Sequence, residues 1–131
     1  MNGIVGLGVD IVDCGRIEEL LQRHGAAFLR RVFRPGEVRV AAGAARRAAH
    51  VAGLFAAMEA TMKALGTGWA AGVGFLQIEV VRQASGSPGL QLHGAAHRRA
   101  ESLGVGRLWL SISHDGPSAV AVVVLECVRN E

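Results

Sequence analysis

Glu59 and Lys63 stand four residues apart in the run Phe55-Ala56-Ala57-Met58-Glu59-Ala60-Thr61-Met62-Lys63, which leads into Ala64-Leu65-Gly66-Thr67-Gly68. In a helix that spacing puts both side chains on one face, roughly 6 Å apart. A carboxylate can hold a hard cation, an ammonium one turn on can reach a phosphate on that cation, and glycines let backbone amides approach it. The same spacing equally describes an ordinary i,i+4 surface ion pair that needs no ligand. A second carboxylate, Asp10, lies near the end of a strand-like run over residues 4–12. An aspartate there either caps the next helix or is free for a metal, and Asp13 competes for the capping role. His114, in His114-Asp115-Gly116-Pro117, either hydrogen-bonds a hairpin turn or offers a binding group.

Positioning these groups requires a frame, and apolar periodicity supplies one. The β-branched run over 4–12 predicts a strand. Beyond Asp13, Ile17, Leu20 and Leu21 recur at helical spacing with Arg16, Glu19 and Arg23 largely opposite, so 15–24 reads as an amphipathic helix. Gly25 ends it, 26–33 forms a second short helical piece, and Pro35 suits the first turn of another short helix. The alanine-rich, proline-free stretch 44–65 is the longest helical pattern, stopped by Gly66. Residues 73–83 return to strand character, 86–89 turn, 90–92 form a short strand, and 95–103 a helix closed by Gly104. Two last strands, 108–113 and 119–127, flank the turn at 114–117. The sum is an α+β fold, an antiparallel sheet packed on one long helix plus shorter helices.

At 131 residues the chain predicts one domain over 1–131. Half of the residues are apolar and mean hydropathy is +0.31, yet no uncharged apolar run is long enough to span a bilayer, so no membrane partner is expected. No basic-then-apolar leader precedes the first strand, which predicts a cytoplasmic protein. Cys14 and Cys127 lack paired metal-ligand spacing and read as small buried or boundary residues. Net charge of +3, nearly all from arginine, favours acidic partners. Only six aromatics are present, and none interleaves with the basic runs as a base-stacking surface would require, so nucleic acid is not expected.

Three ordered blocks extend the reading. Gly8-Val9-Asp10-Ile11-Val12, the 55–68 segment quoted above, and Ile112-Ser113-His114-Asp115 resemble the bacterial holo-acyl-carrier-protein synthases, small single-repeat 4'-phosphopantetheinyl transferases, in order and spacing over nearly the whole chain. The resemblance implies transfer of the phosphopantetheine arm of coenzyme A to a serine of apo acyl carrier protein, releasing adenosine 3',5'-bisphosphate, in fatty-acid or polyketide synthesis. It implies Asp10 and Glu59 as Mg²⁺ ligands and Lys63 as a fixed charge on a phosphate, these three forming the catalytic group. Gly66, Thr67, Gly68 and His114, with Lys63, would line the coenzyme A site. The first helix would dock the acidic carrier protein through Arg16, Leu20 and Arg23. A homotrimer with active sites between subunits is implied too, with 108–128 as an interface.

Two positions depart from the family pattern. Met58 stands where most members have lysine, and Leu54 where they have arginine. Each change deletes a positive charge near phosphates, and one charge-assisted hydrogen bond is worth ~1.5–3 kcal/mol. The enzyme reading therefore carries an alternative, a catalytically impaired relative that binds coenzyme A or carrier protein. A basic nucleic-acid-binding module is a third reading, one with no use for the ordered carboxylates.

Overall fold

A computed structural model describes residues 2–39, 43–68 and 72–128. Strand β1 (Gly3–Asp13) leads into α1 (Cys14–Val32), then α2 (Ala44–Leu65), β2 (Ile78–Arg82), β3 (Pro88–Leu92), α3 (Gly94–Leu103), β4 (Val105–Asp115) and β5 (Ser118–Cys127). The strands form two antiparallel sheets, one ordered β1-β5-β4 and the other β2-β3. The α+β architecture expected from the pattern is the one found.

The long helix holds the molecule together. Small residues make that possible, since Ala48, Ala52, Ala56, Ala57, Ala60 and Ala64 of α2 are all buried. They meet Ala119, Ala121, Val123 and Leu125, which alternate along the inner face of β5. Short side chains on both surfaces let the helix approach the sheet closely. Gly66, at φ 75, adopts the left-handed conformation that ends α2, and its amide donates to Lys63 O. All four phenylalanines gather where α1, α2 and the 3₁₀ turn Phe75–Gln77 meet, Phe55 and Phe75 having ring centroids 4.9 Å apart.

Gly25, with φ 44 and ψ −118, breaks α1 into the two helical pieces its sequence predicts. Asp13 caps α1 by accepting from Gly15 N at 3.1 Å. The expected short helix at Pro35 does not form. Arg34-Pro35-Gly36-Glu37 is instead a β-turn, with Glu37 N donating to Arg34 O at 3.1 Å and Gly36 at φ 81. A left-handed glycine after proline suits a type II turn and cannot continue a helix. The strand expected over 73–83 shortens to β2 because Gln77 is taken up elsewhere. Its side chain donates to Gly72 O and accepts from Ala96 N, tying the turn to α3. His114 and Asp115 belong to β4 itself, so the hairpin turn is only Gly116-Pro117.

Candidate active site

Residues 6, 8, 10 and 12 of β1 share the face turned toward α2. A Cβ on Gly6 or Gly8 would collide with the backbone carbonyl oxygens of Ala64 and Ala60 respectively, so glycine is what lets the strand lie against the helix backbone. Asp10, the next residue on this face, is thereby carried to the last two turns of α2. Lys63 Nζ donates to Asp10 Oδ1 and to Val9 O, each at 3.0 Å. Among the described residues Lys63 pairs with Asp10, not with Glu59 one turn before it. The lysine side chain is 55% exposed and that of Asp10 only 11%, so the bond orients more than it stabilises.

Glu59 completes the cluster. Burial raises its carboxyl above the ordinary range, the charge on Asp10 adds to that rise, and Lys63 and Arg16 oppose it. Glu59 thus feels the charge of Asp10 as well as those of Lys63 and Arg16, and Lys63, one turn on from it, is bonded to Asp10. Asp13 holds the helix cap, which leaves Asp10 free of that duty. Among the described residues no third His, Cys, Asp or Glu joins the pair. A carboxylate pair suits Mg²⁺, which prefers oxygen ligands and is usually held by one or two carboxylates together with substrate phosphates. Of the sequence-predicted residues, Asp10, Glu59 and Lys63 therefore converge.

The opposite flank of α2 carries a different feature. A cavity of about 710 Å³ is lined by Arg39, Arg46, His50, Leu54, Arg82 and His114, among others. Burial and the nearby Arg82 charge lower the His50 imidazole, which favours its neutral form. Among the described residues the only carboxylate in the lining is Glu37, and both its oxygens accept backbone amides, from Arg34 and Val80. Arg39, Arg46 and Arg82 thus line the space with no acidic partner for them in the described wall, Arg39 Nε donating to Gly36 O at 3.4 Å and Arg82 Nη1 to Gly86 O at 3.3 Å. This basic concavity fits an anion.

The geometry of α2 keeps the two features apart. Glu59 is nine residues from His50, about two and a half turns, so their side chains leave opposite sides of the helix. The sheet agrees. Asp10 pairs with Ala121 on one side of β5, and Ile112, another cavity residue, pairs with Ala121 on the other. Asp10 and Ile112 are thus two strands apart, roughly 10 Å, with α2 packed over the alanine between them.

The remaining expected residues divide. His114 lies in the cavity wall, exposed, at the end of β4. The amides of Gly66 and Gly68 already donate to Lys63 O and Met62 O, so the first duty of the Gly66-Thr67-Gly68 turn is to end the helix. Arg16 and Arg23 are exposed on α1, while Leu20 is partly buried against the core. Leu54 is 7% exposed and lines the cavity, whereas Met58 is fully buried. Glu37, Arg39, His50 and Arg82 were not among the sequence candidates. Only the Pro35-Gly36 dipeptide signalled a built turn there.

Comparison with known proteins identifies the family. A model of the 4'-phosphopantetheinyl transferase superfamily matches residues 6–123. A protein of Desulfovibrio desulfuricans named holo-[acyl-carrier-protein] synthase is 50% identical over 125 residues, covering 95% of this chain and 99% of its own. One of the same name from Solibacter usitatus is 44% identical, covering 94% and 98%. Among solved structures, the Bacillus anthracis holo-(acyl-carrier-protein) synthase in complex with CoA (3',5'-ADP) superposes with a TM-score of 0.77 at 38% identity, covering 95% and 98% of the two chains. The Helicobacter pylori synthase in complex with coenzyme A gives 0.77 at 33% identity, covering 91% and 98%. On matches of this extent, the chain belongs to the 4'-phosphopantetheinyl transferase superfamily, in its holo-[acyl-carrier-protein] synthase branch.

Proposed function

We propose that this chain moves the 4'-phosphopantetheine group of coenzyme A onto a serine hydroxyl of apo acyl carrier protein, with Mg²⁺ on Asp10 and Glu59, and releases adenosine 3',5'-bisphosphate. The observation that carries the reading is the convergence of Asp10, Glu59 and Lys63 from distant parts of the chain. In the reaction the serine oxygen bonds to the phosphorus that bears the pantetheine and its proton passes to solvent, while the bond from that phosphorus to the bridging oxygen breaks and its electron pair leaves with adenosine 3',5'-bisphosphate. Mg²⁺ would supply charge neutralisation for the diphosphate as this bond breaks. Asp10 and Glu59 would hold the ion. Lys63, tethered by Val9 O, would keep a positive charge beside the same phosphates. The guanidinium-lined cavity suits the anionic nucleotide end, with His114 in its wall. Beside Lys63, the Gly66–Gly68 turn would meet coenzyme A through Thr67 and the open space at Gly68, where an added Cβ touches nothing within 4 Å.

Because α2 separates the carboxylates from the cavity, a whole site needs a second copy. The outer face of the β1-β5-β4 sheet fits that need. Leu7, Val124 and Trp109 form one row across the three strands, and Val9, Val122 and Ser111 the next. Leu7, Val9, Ile11, Trp109 and Val122 are all exposed in the single chain. An apolar sheet face of this extent suits an interface, and a closed ring of three copies would bury it while joining each carboxylate pair to a neighbour's cavity. Arg16, near Glu59, would receive the acidic carrier protein together with Arg23 and the apolar Leu20. Among the described residues no helix is long and apolar enough to cross a membrane, and the cytoplasm is the setting proposed.

The two departures from the family pattern now weigh differently. Leu54 takes a charge from the cavity wall itself, which supports weakened coenzyme A binding, while the full burial of Met58 favours a packing role. Incubation with coenzyme A, Mg²⁺ and apo carrier protein, followed by weighing the carrier, tests the reading. A mass gain equal to phosphopantetheine is expected. Carrier mass unchanged while coenzyme A still binds would favour the non-catalytic relative.

A further inference from the structure

Residues 34–39 form a strap across one side of the cavity, and three hydrogen bonds fasten it. Arg34 Nε donates to Leu76 O at 2.7 Å, Arg39 N donates to His50 Nε2 at 3.4 Å, and Val80 N donates to Glu37 Oε2 at 2.8 Å. The other oxygen of Glu37 accepts from Arg34 N at 3.0 Å, closing the turn from within. Glu37 is only 8% exposed, and Thr61 is the other polar side chain buried among the described residues. A carboxylate is a costly group to bury, and an apolar side chain would fill the space at less cost. What the carboxylate adds is a two-ended link. One end holds the strap, and the other caps an amide of β2. The two segments it joins are also two walls of the cavity. Arg39 stands on the strap, and Val80, Val81 and Arg82 stand on β2.

We infer that Glu37 is a positioning residue for coenzyme A: by bridging Arg34 N and Val80 N it fixes the strap against β2 and so sets the separation of the Arg39 and Arg82 guanidinium groups that receive the anionic end of the ligand. This rests on the reading of the cavity as the nucleotide half of the transferase site. Glu37 touches no substrate in this account and acts through the two arginines. The chemistry of the link is specific. A glutamine at 37 keeps one oxygen acceptor but turns an NH₂ donor toward the second amide, so one of the two bonds is lost.

The test compares wild type, Glu37→Gln and Arg39→Gln by calorimetric titration with coenzyme A, and by the KM and kcat of carrier-protein modification. Glu37→Gln is expected to weaken coenzyme A binding and raise its KM by about tenfold while kcat stays within about twofold, and Arg39→Gln to weaken binding by a similar factor. In the double variant the two effects should fall short of multiplying, because part of what Glu37 does is to place the Arg39 guanidinium that the second change removes. Glu37→Gln that lowers Tm but leaves both the dissociation constant and KM unchanged would overturn the inference, since the residue would then be structural only. Should Glu37→Gln fail to fold, Arg39→Gln with unaltered coenzyme A affinity would overturn it, because the strap would have nothing to position. Wild-type chain that modifies carrier protein yet shows either negative result sinks this inference alone. Wild-type chain that binds no coenzyme A sinks the transferase reading and this inference with it.

Discussion

On the β1 flank of α2 the charged groups are few and tied to one another, whereas on the β4 flank they are many, line a wide cavity and are held at most by backbone carbonyls. Lys63 is held by two oxygens, Asp10 is almost covered, and the strand beneath them rests on helix backbone through Gly6 and Gly8. Arg39, Arg46 and Arg82 are exposed around a wide cavity, and their placement relies on a strap and a short edge strand. The difference suits two tasks. Ion binding at a breaking bond needs geometry fixed to a fraction of an ångström, while holding an anionic nucleotide tolerates longer and looser cations. The two flanks lie on opposite sides of α2, and the proposed second copy is what would bring one of each together.

The comparison can be broken most severely at the outer sheet face. Ile11→Glu puts a charge into the proposed interface without touching either half-site. Activity is expected to fall by about a hundredfold or more, with a monomeric mass by light scattering and a native circular-dichroism spectrum. A trimer with normal turnover would contradict it. Next comes the packing that fixes the carboxylate flank. Gly8→Ala drives a methyl group into the Ala60 carbonyl and is expected to cost about 3 kcal/mol in urea unfolding, with Asp10 displaced from Lys63. An unchanged midpoint would show that strand and helix separate easily. On the cavity flank, Leu54→Arg restores a guanidinium to the wall and should tighten coenzyme A binding about tenfold by calorimetry. Met58→Lys buries an ammonium instead and is expected to lower stability before it changes affinity.

The smallest effect concerns pH. Burial raises the Glu37 carboxyl, and its two amide bonds only partly offset that. As pH rises the unfolded chain releases this proton first, so the folded state holds more protons in that interval. The contribution of Glu37 to stability is full below the ordinary carboxyl range and is lost as pH climbs through its raised value. Urea unfolding of wild type and Glu37→Gln between about pH 4 and pH 7 should show a difference that shrinks for the wild type as pH increases. A pH-independent difference would remove the effect.

How much of this was legible in the sequence follows from how local each feature is. The bounds of α2 could be read because an alanine-rich run and a stopping glycine are local signals. Asp10, Glu59 and Lys63 were legible only as three blocks in order, since nothing at residue 10 points to residue 63. The Pro35 helix failed because the proline was weighed as a helix start and the glycine after it, left-handed at φ 81, was not weighed as a turn. Pro35-Gly36 meant a turn, and Glu37 holds that turn through Val80, forty-three residues away. The cavity was legible only at His114 and Leu54, which the resemblance singled out and which stand in its wall. Its cations come from the strap, α2 and β2, and single arginines in separate segments read as solvated surface.

Mixing two inactive variants tests the shared site most directly. Glu59→Gln removes a carboxylate on one flank, and the double change Arg39→Gln with Arg82→Gln disables the cavity on the other. Unfolded and refolded together in equal amounts, they should regain about a quarter of wild-type activity, because that fraction of sites draws an intact half from each neighbour. A mixture no more active than the separate variants, with mixed oligomers verified by native mass spectrometry, would contradict the account.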